Sequence, residues 1–116
     1  PPPWGTIAAV NLSTGKLAWE IDLGKSEEQP YGLANAGGSM ITKSGLIFIA
    51  ATFDRQFRSY DIETGKQVWQ TVLPRCGIAT PMSYLDENGK QFIVIAAGGH
   101  GKIGTETGDF VVAFSL

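Results

Sequence analysis

Ala9-Val-Asn-Leu-Ser-Thr-Gly-Lys-Leu-Ala-Trp19 recurs, without a gap, as Ser59-Tyr-Asp-Ile-Glu-Thr-Gly-Lys-Gln-Val-Trp69. Thr14, Gly15, Lys16 and Trp19 return as Thr64, Gly65, Lys66 and Trp69, each 50 positions on, and Leu23 and Leu73 extend the match. Self-similarity at a fixed spacing is the mark of a repeat architecture. Each copy reads as a β-hairpin. Residues 6–11 and 57–61 are apolar or β-favouring runs, and residues 16–22 and 66–73 return from the turn. Gly15 and Gly65 supply a residue free to take positive φ. Asn11 and Asp61 stand where a short polar side chain can bond the backbone of a turn.

Working outward, the stretches between and after the copies also read as strands. Residues 38–42 form a short run, and Leu46-Ile-Phe-Ile-Ala50 is continuously apolar, the pattern of a strand buried on both faces. Residues 79–84 are a further candidate, with Pro81 weakening it or placing it at an edge. Asn88-Gly89 signals a hairpin turn into the run 92–97, and 110–115 is the last strand. No helical periodicity exceeds a turn or two. The order is two strands, then four, then three. Four strands per 40–50 residues is the period of a propeller blade. The fold class expected is therefore all-β, a partial β-propeller: 6–23 a half blade (strands C and D), 37–74 a full blade (A to D), and 78–116 a blade of A, B and C without its outer strand. In a closed ring that strand would come from the distant N-terminus of a parent chain. A nine-stranded sandwich is the alternative, and the repeat argues against it. Trp19 and Trp69, four residues after the turn glycines, are expected to pack against a neighbouring blade and bond through the indole N–H.

Composition supports a packed core. Of 116 residues, 43% are hydrophobic and 17% charged, which excludes a disordered tail. Fifteen glycines favour many short strands over long helices, and a net charge of -2 gives no basic footprint for nucleic acid. Cys76 stands alone, so an internal disulfide is impossible. No apolar run approaches the ~20 residues that span a bilayer. The opening Pro1-Pro2-Pro3 has no signal-peptide pattern and no initiator Met, so a piece of a longer protein is expected.

The repeat pattern Ala-x-Asp/Asn-x-x-Thr-Gly-Lys-x-x-Trp resembles the tryptophan-docking motif of quinoprotein dehydrogenases, eight-bladed propellers that use pyrroloquinoline quinone (PQQ). The first copy matches at Ala9, Gly15 and Trp19, and the second departs at Ser59. Non-enzymatic propellers such as the outer-membrane assembly lipoprotein carry related repeats. Gly37-Gly38, Ala51-Thr-x-Asp54, Arg58-Ser-Tyr-Asp61, Leu73-Pro74, Ala79-Thr-Pro-Met82, Ala96-Ala-Gly-Gly-His-Gly101, Gly104-Thr105, Gly108-Asp109 and Val112-Ala113 are more specific. Together they are similar to the C-terminal end of the membrane-bound glucose dehydrogenase group, which includes relatives acting on quinate, shikimate and polyols. Departures are Cys76, where the family usually has a small residue, and the weakly matching stretch 25–36 around Asn35.

Gly99-His-Gly101-Lys-Ile-Gly104 satisfies the spacing of a dinucleotide fingerprint. That motif needs a following helix and an acidic residue about 20 positions later, and the sequence offers neither. His100 is the only histidine, and among small neighbours its ring can project into a cavity while the backbone approaches a ligand. A lone histidine in such a loop is also often structural. The resemblance implies that His100, with Gly99 and Gly101, lies at the PQQ pocket, donating a hydrogen bond or taking a proton. It also places Asp54 near the pocket, orienting a base or bonding a sugar hydroxyl. Arg55 and Arg58 are expected to pair with Asp54 as surface salt bridges of little net value. Lys102 reads as a surface cation, although a cation near an anionic cofactor is physically sensible. No metal-ligand cluster, nucleophile elbow or zinc pattern is present. Asn11-Leu12-Ser13 is a coincidental glycosylation pattern in a turn, and Cys76 reads as a free thiol.

The resemblance implies a parent enzyme that oxidises a sugar or polyol hydroxyl and passes electrons to membrane quinone. It would face the periplasm, anchored to the inner membrane by a segment absent here. The proton-abstracting base and the ligands of Ca2+ or Mg2+ are expected on other blades. The fragment alone is expected to be inactive and to self-associate through exposed blade faces. Two other classes remain: a non-catalytic propeller scaffold and a carbohydrate-binding repeat module. The Gly-Gly-His-Gly loop discriminates, since a pure scaffold has no use for an isolated histidine among glycines.

Overall fold

Nine strands carry the chain in the computed structural model, which describes residues 1–115. They are β1 (Thr6–Asn11), β2 (Lys16–Asp22), β3 (Ser39–Ile41), β4 (Leu46–Ile49), β5 (Gln56–Asp61), β6 (Gln67–Val72), β7 (Met82–Leu85), β8 (Gln91–Ala97) and β9 (Phe110–Ser115). They form three separate sheets in the orders β1-β2, β3-β4-β5-β6 and β7-β8-β9, all antiparallel neighbours in sequence. Three consecutive meanders are propeller sheets in the expected series of two, four and three strands. A sandwich would distribute the nine strands over two facing sheets. The described residues form an open array, not a closed ring.

The two repeats fold alike. Gly15 and Gly65 take φ of 68° and 71°, and their N–H groups donate to the carbonyls of Asn11 (2.7 Å) and Asp61 (2.9 Å). Asn11 Oδ1 accepts from the backbone N–H of Ser13 and Thr14, and Asp61 Oδ1 accepts from those of Glu63 and Thr64. Even the β-bulge repeats, between Ala9 and Val10 in one hairpin and between Ser59 and Tyr60 in the other. Such an extra residue increases the local twist of the outer strand pair. In the third sheet, β7 begins only after Pro81, whose missing N–H cannot serve a ladder. Asp86 and Gly89 close the turn into β8.

The core lies between sheets. Ile47 and Ile49 of β4 face the first sheet, where they cluster with Leu23, Ala51 and Tyr60. Phe48 and Ala50 point the other way, into a cluster with Phe57, Leu73, Ile93, Ile95 and Ala97. Alternate side chains of a strand lie on opposite faces, so the unbroken apolar run 46–50 serves two interfaces at once. Trp19 crosses from the first sheet to the second. Its indole N–H donates to the carbonyl of Ile62 at 2.8 Å, and its ring covers Gly65. Trp69 instead joins an aromatic group with Phe48, Phe57 and Phe114, the last on the third sheet.

Candidate functional site

In an antiparallel meander, alternate connections leave at the same end of the sheet. Residues 23–38, 50–55, 73–81 and 98–109 therefore gather on one face, opposite the Thr-Gly-Lys turns. Backbone hydrogen bonds lace them together. Ala36 N–H donates to Ala51 O, Ala51 N–H to Gly77 O, Leu73 N–H to Arg55 O and Gly99 N–H to Cys76 O, all at 2.8–3.0 Å. Gly37 makes one of these approaches possible, since a Cβ there would lie 2.5 Å from the carbonyl oxygen of Ile78.

Asp54 sits in the β4–β5 turn, flanked by two non-glycine residues in the left-handed region, Ala51 (φ 56°) and Arg55 (φ 58°). Such conformations persist only where surrounding structure imposes them. Here the constraint is a polar network. Asp54 Oδ1 accepts from the Thr52 hydroxyl (2.6 Å), the Gln56 N–H (3.1 Å) and Arg58 Nη1 (3.3 Å), while Oδ2 pairs with Arg58 Nη2. Arg58 Nη1 also reaches Thr52 Oγ1 at 3.0 Å. The Arg58 and Asp54 side chains are 6% and 15% exposed. The pair is thus buried, contrary to the surface pairing expected from the sequence, and losing one partner would strand a charge away from water. Arg55, the other candidate, is exposed and has no ion pair among the described residues. Arg58 is buried along β5 together with its neighbours Phe57 and Ser59, which lie on the opposite face of the strand. Tyr60, beside this network, has its phenol pushed up by burial, an effect the Arg58 cation opposes.

His100 lies on the 98–109 connection between β8 and β9. The backbone there is tightly determined. Gly108 N–H donates to Gly98 O (2.9 Å), closing the loop at its base. His100 N–H donates to Thr105 Oγ1 (2.6 Å), and His100 O accepts from Ile103 N–H (3.1 Å). Gly99 has φ 62°, and a Cβ there would lie 2.0 Å from Glu106 O, so only glycine fits. Gly101–Ile103 form a single 3-10 turn that ends at Gly104 and leads back to a strand, not to the helix a dinucleotide fingerprint requires. His100 is exposed, as is Lys102.

A cavity of about 360 Å³ opens between the two connections, lined by Asp54, Arg55, Arg75, Cys76, Thr105 and Glu106 among others. Asp54 and the far side of the glycine loop thus border one depression. His100, Gly99 and Gly101 do not line it, although they belong to the same face. Cys76 is buried, its thiol pushed up by desolvation and donating toward Phe53 O at 3.4 Å. Among the described residues, no three potential ligands gather as a metal site.

A bare glycine backbone beside one exposed imidazole suits the edge of a flat, oxygen-rich acid such as PQQ. A Cβ on Gly101 would meet nothing nearer than Thr107 Cγ2 at 3.7 Å, so the chain there is open on its outer side. Comparison with known proteins shows the family. Residues 1–93 match the β-propeller domain of the PQQ glucose/ethanol/alcohol dehydrogenases. The chain is 40% identical to quinoprotein glucose dehydrogenase of Escherichia coli (strain K12), over 99% of this chain and 16% of that protein. It is 36% identical to quinate/shikimate dehydrogenase (quinone) of Acinetobacter baylyi, over 99% and 16%. Against the glycerol dehydrogenase large subunit of Gluconobacter oxydans the figures are 41%, 99% and 17%. The chain thus spans about one-sixth of the length of these relatives. Among solved structures, europium-containing methanol dehydrogenase superposes with a TM-score of 0.66 at 29% identity, covering 81% of this chain and 15% of that one. Quinohemoprotein alcohol dehydrogenase from Comamonas testosteroni shares the fold with a TM-score of 0.74 at 20% identity, covering 99% and 17%. The chain therefore belongs to the PQQ-dependent quinoprotein dehydrogenases, of whose β-propeller it carries a part.

Proposed function

We propose that the protein oxidises a sugar or polyol hydroxyl as a PQQ-dependent dehydrogenase, and that the 98–109 loop forms part of the cofactor's pocket. The observation that carries this reading is His100, exposed on a glycine loop whose backbone is held on both sides. The bound quinone supplies the two-electron redox chemistry, and the protein positions the reactants and tunes their electrostatics. His100 would donate a ring N–H to an oxygen of the cofactor, with Gly99 and Gly101 letting the backbone come close. Asp54 acts differently: its oxygens already receive Thr52, Gln56 and Arg58, so it sets the shape of the β4–β5 turn. The proton-abstracting base and the Ca2+ or Mg2+ ligands belong to other blades. Electrons would pass to membrane quinone, with the propeller at the periplasmic face of the inner membrane. The isolated segment would be inactive and would self-associate through edges such as β9, where Val111 is 72% exposed.

The test uses the full-length protein. PQQ is titrated with divalent metal present, and dye-linked oxidation of glucose, glycerol and quinate is followed in wild type and His100→Ala. The expected result is PQQ-dependent activity and about tenfold weaker PQQ binding in the variant, the effect of losing a charge-assisted hydrogen bond of ~1.4 kcal/mol. A wild type that binds no PQQ would sink the dehydrogenase reading and favour a propeller scaffold. An unaffected variant would return His100 to a structural role.

A further inference from the structure

The geometry points to Arg75 as the positioning residue for His100, acting through the 98–109 loop. The inference rests on the reading above, in which His100 faces the cofactor. Arg75 belongs to the connection between β6 and β7, outside the loop it holds. Its guanidinium is used on every nitrogen. Nε donates to Thr107 O at 3.1 Å, Nη1 to Pro74 O at 2.8 Å, and Nη2 pairs with Glu106 Oε1 at 2.6 Å. Its Cζ lies 5.7 Å from the centre of the Phe110 ring, at the start of β9.

The neighbouring residue takes the other limb of the loop, since Cys76 O accepts the Gly99 N–H at 3.0 Å. Two consecutive residues therefore grip the loop on both sides of His100. The fit is close. A Cβ on Gly108 would lie 2.9 Å from Arg75 Cγ, and a Cβ on Gly77 would lie 2.8 Å from Leu73 Cδ1 and 2.9 Å from Ala50 Cβ. The grip is anchored in turn to the second sheet, because Gly77 O accepts the Ala51 N–H. A glycine-rich loop left to itself samples many conformations. Fixing it from outside before the cofactor arrives removes an ordering cost from binding. Arginine suits the task because its planar fork holds two carbonyls and a carboxylate at once, which a lysine ammonium cannot do in that geometry. Glu106 contributes least, as its carboxylate is 71% exposed.

The experiment is a double-mutant cycle on the full-length protein: wild type, Arg75→Met, His100→Ala and the double variant. PQQ dissociation constants come from fluorescence titration at fixed Ca2+ or Mg2+. Amide hydrogen exchange of residues 98–109 is measured in the cofactor-free proteins. Arg75→Met is expected to weaken PQQ binding about tenfold and to speed exchange at Gly99 and Gly108, with the double variant no weaker than His100→Ala alone, since residues acting through one contact are not additive. Arg75→Lys is expected to restore only part of the affinity, and Glu106→Gln to match wild type. If Arg75→Met does not accumulate as folded protein, Arg75→Lys carries the same cycle.

Additive losses would overturn the inference by showing that Arg75 does not act through His100. Wild-type affinity in Arg75→Met beside weakened His100→Ala would overturn it while leaving the dehydrogenase reading intact. A wild type without PQQ binding would overturn that reading itself.

Discussion

Trp19 and Trp69 occupy the same place in two copies of one motif, yet they meet different surroundings. Trp19 lies over the turn of the next sheet, with its indole N–H on the Ile62 carbonyl and its ring against Gly65. Trp69 meets side chains instead: edge-on contacts with Phe48, Phe57 and Phe114 at centroid separations of 5.4–6.2 Å. The same motif thus provides one directional contact and one aromatic cluster. What differs is the surface opposite. Residues 62–65 form a turn that presents a carbonyl and a glycine, whereas β9 presents the Phe114 ring. A repeat specifies its own hairpin but not what its outer side chains touch.

The comparison can be tested by truncation. Trp19→Ala is expected to cost about 3 kcal/mol, combining lost burial, a hydrogen bond between sheets and the cover over Gly65. Trp69→Ala is expected to cost about 2 kcal/mol, because Trp69 is 37% exposed and its gain rests on edge-to-face ring contacts. Urea unfolding of each variant measures both. Equal losses would mean that the bond to Ile62 adds nothing beyond area. The turn glycines sharpen the point. Gly15→Ala is expected to lose about 1 kcal/mol, since its φ of 68° alone disfavours a side chain and nothing lies within 4 Å of the added Cβ. Gly65→Ala should lose about 2–3 kcal/mol, because its Cβ would also sit 2.7 Å from the Trp19 ring. Combining Gly65→Ala with Trp19→Ala should bring the glycine's cost back toward that of Gly15→Ala, and a cost unchanged in the double variant would count against the contact.

The smallest effect separates Asn11 from Asp61. Hydrogen bonds from the Thr64 N–H and hydroxyl hold the Asp61 carboxyl below its ordinary value. A carboxyl lowered by folding contributes stability above its unfolded pKa and loses that contribution as pH falls through the folded value. Asn11 makes the matching turn without a titrating group. Asp61→Asn should therefore leave the neutral fold in place and flatten the acid limb of the stability curve, while the Asn11 turn adds nothing to that limb. An unchanged slope in acid urea titrations would show that other carboxylates dominate it.

Much of the fold was legible because its signals are local. Gly15 and Gly65 needed positive φ, Asn88-Gly89 closed a hairpin, and the apolar run 46–50 announced a strand covered on two sides. The limits of the third sheet's first strand were less legible, since Pro81 removes the donor that would have extended it. At the candidate site, His100 stood out as the single histidine of the sequence, set between glycines. Arg58 and Arg55 were indistinguishable as partners of Asp54. The choice depends on a turn with two left-handed residues, which sends Arg58 inward and Arg55 out. Arg75 carried no signal at all. Its contact with Thr107 joins residues 32 positions apart, and no local pattern encodes that distance.

The sequence by itself determined a repeated hairpin, nine strands in the order two, four and three, and membership among propeller sheets. Backbone hydrogen bonding and the alternation of faces depend on near neighbours, so a pattern of residue types suffices to specify them. Only the tertiary structure decided which face of β4 meets which sheet, that the Asp54–Arg58 pair is buried, and that one motif tryptophan finds a turn while its twin finds a ring. Those outcomes depend on surfaces brought together from distant parts of the chain, where shape and partner together settle the contact.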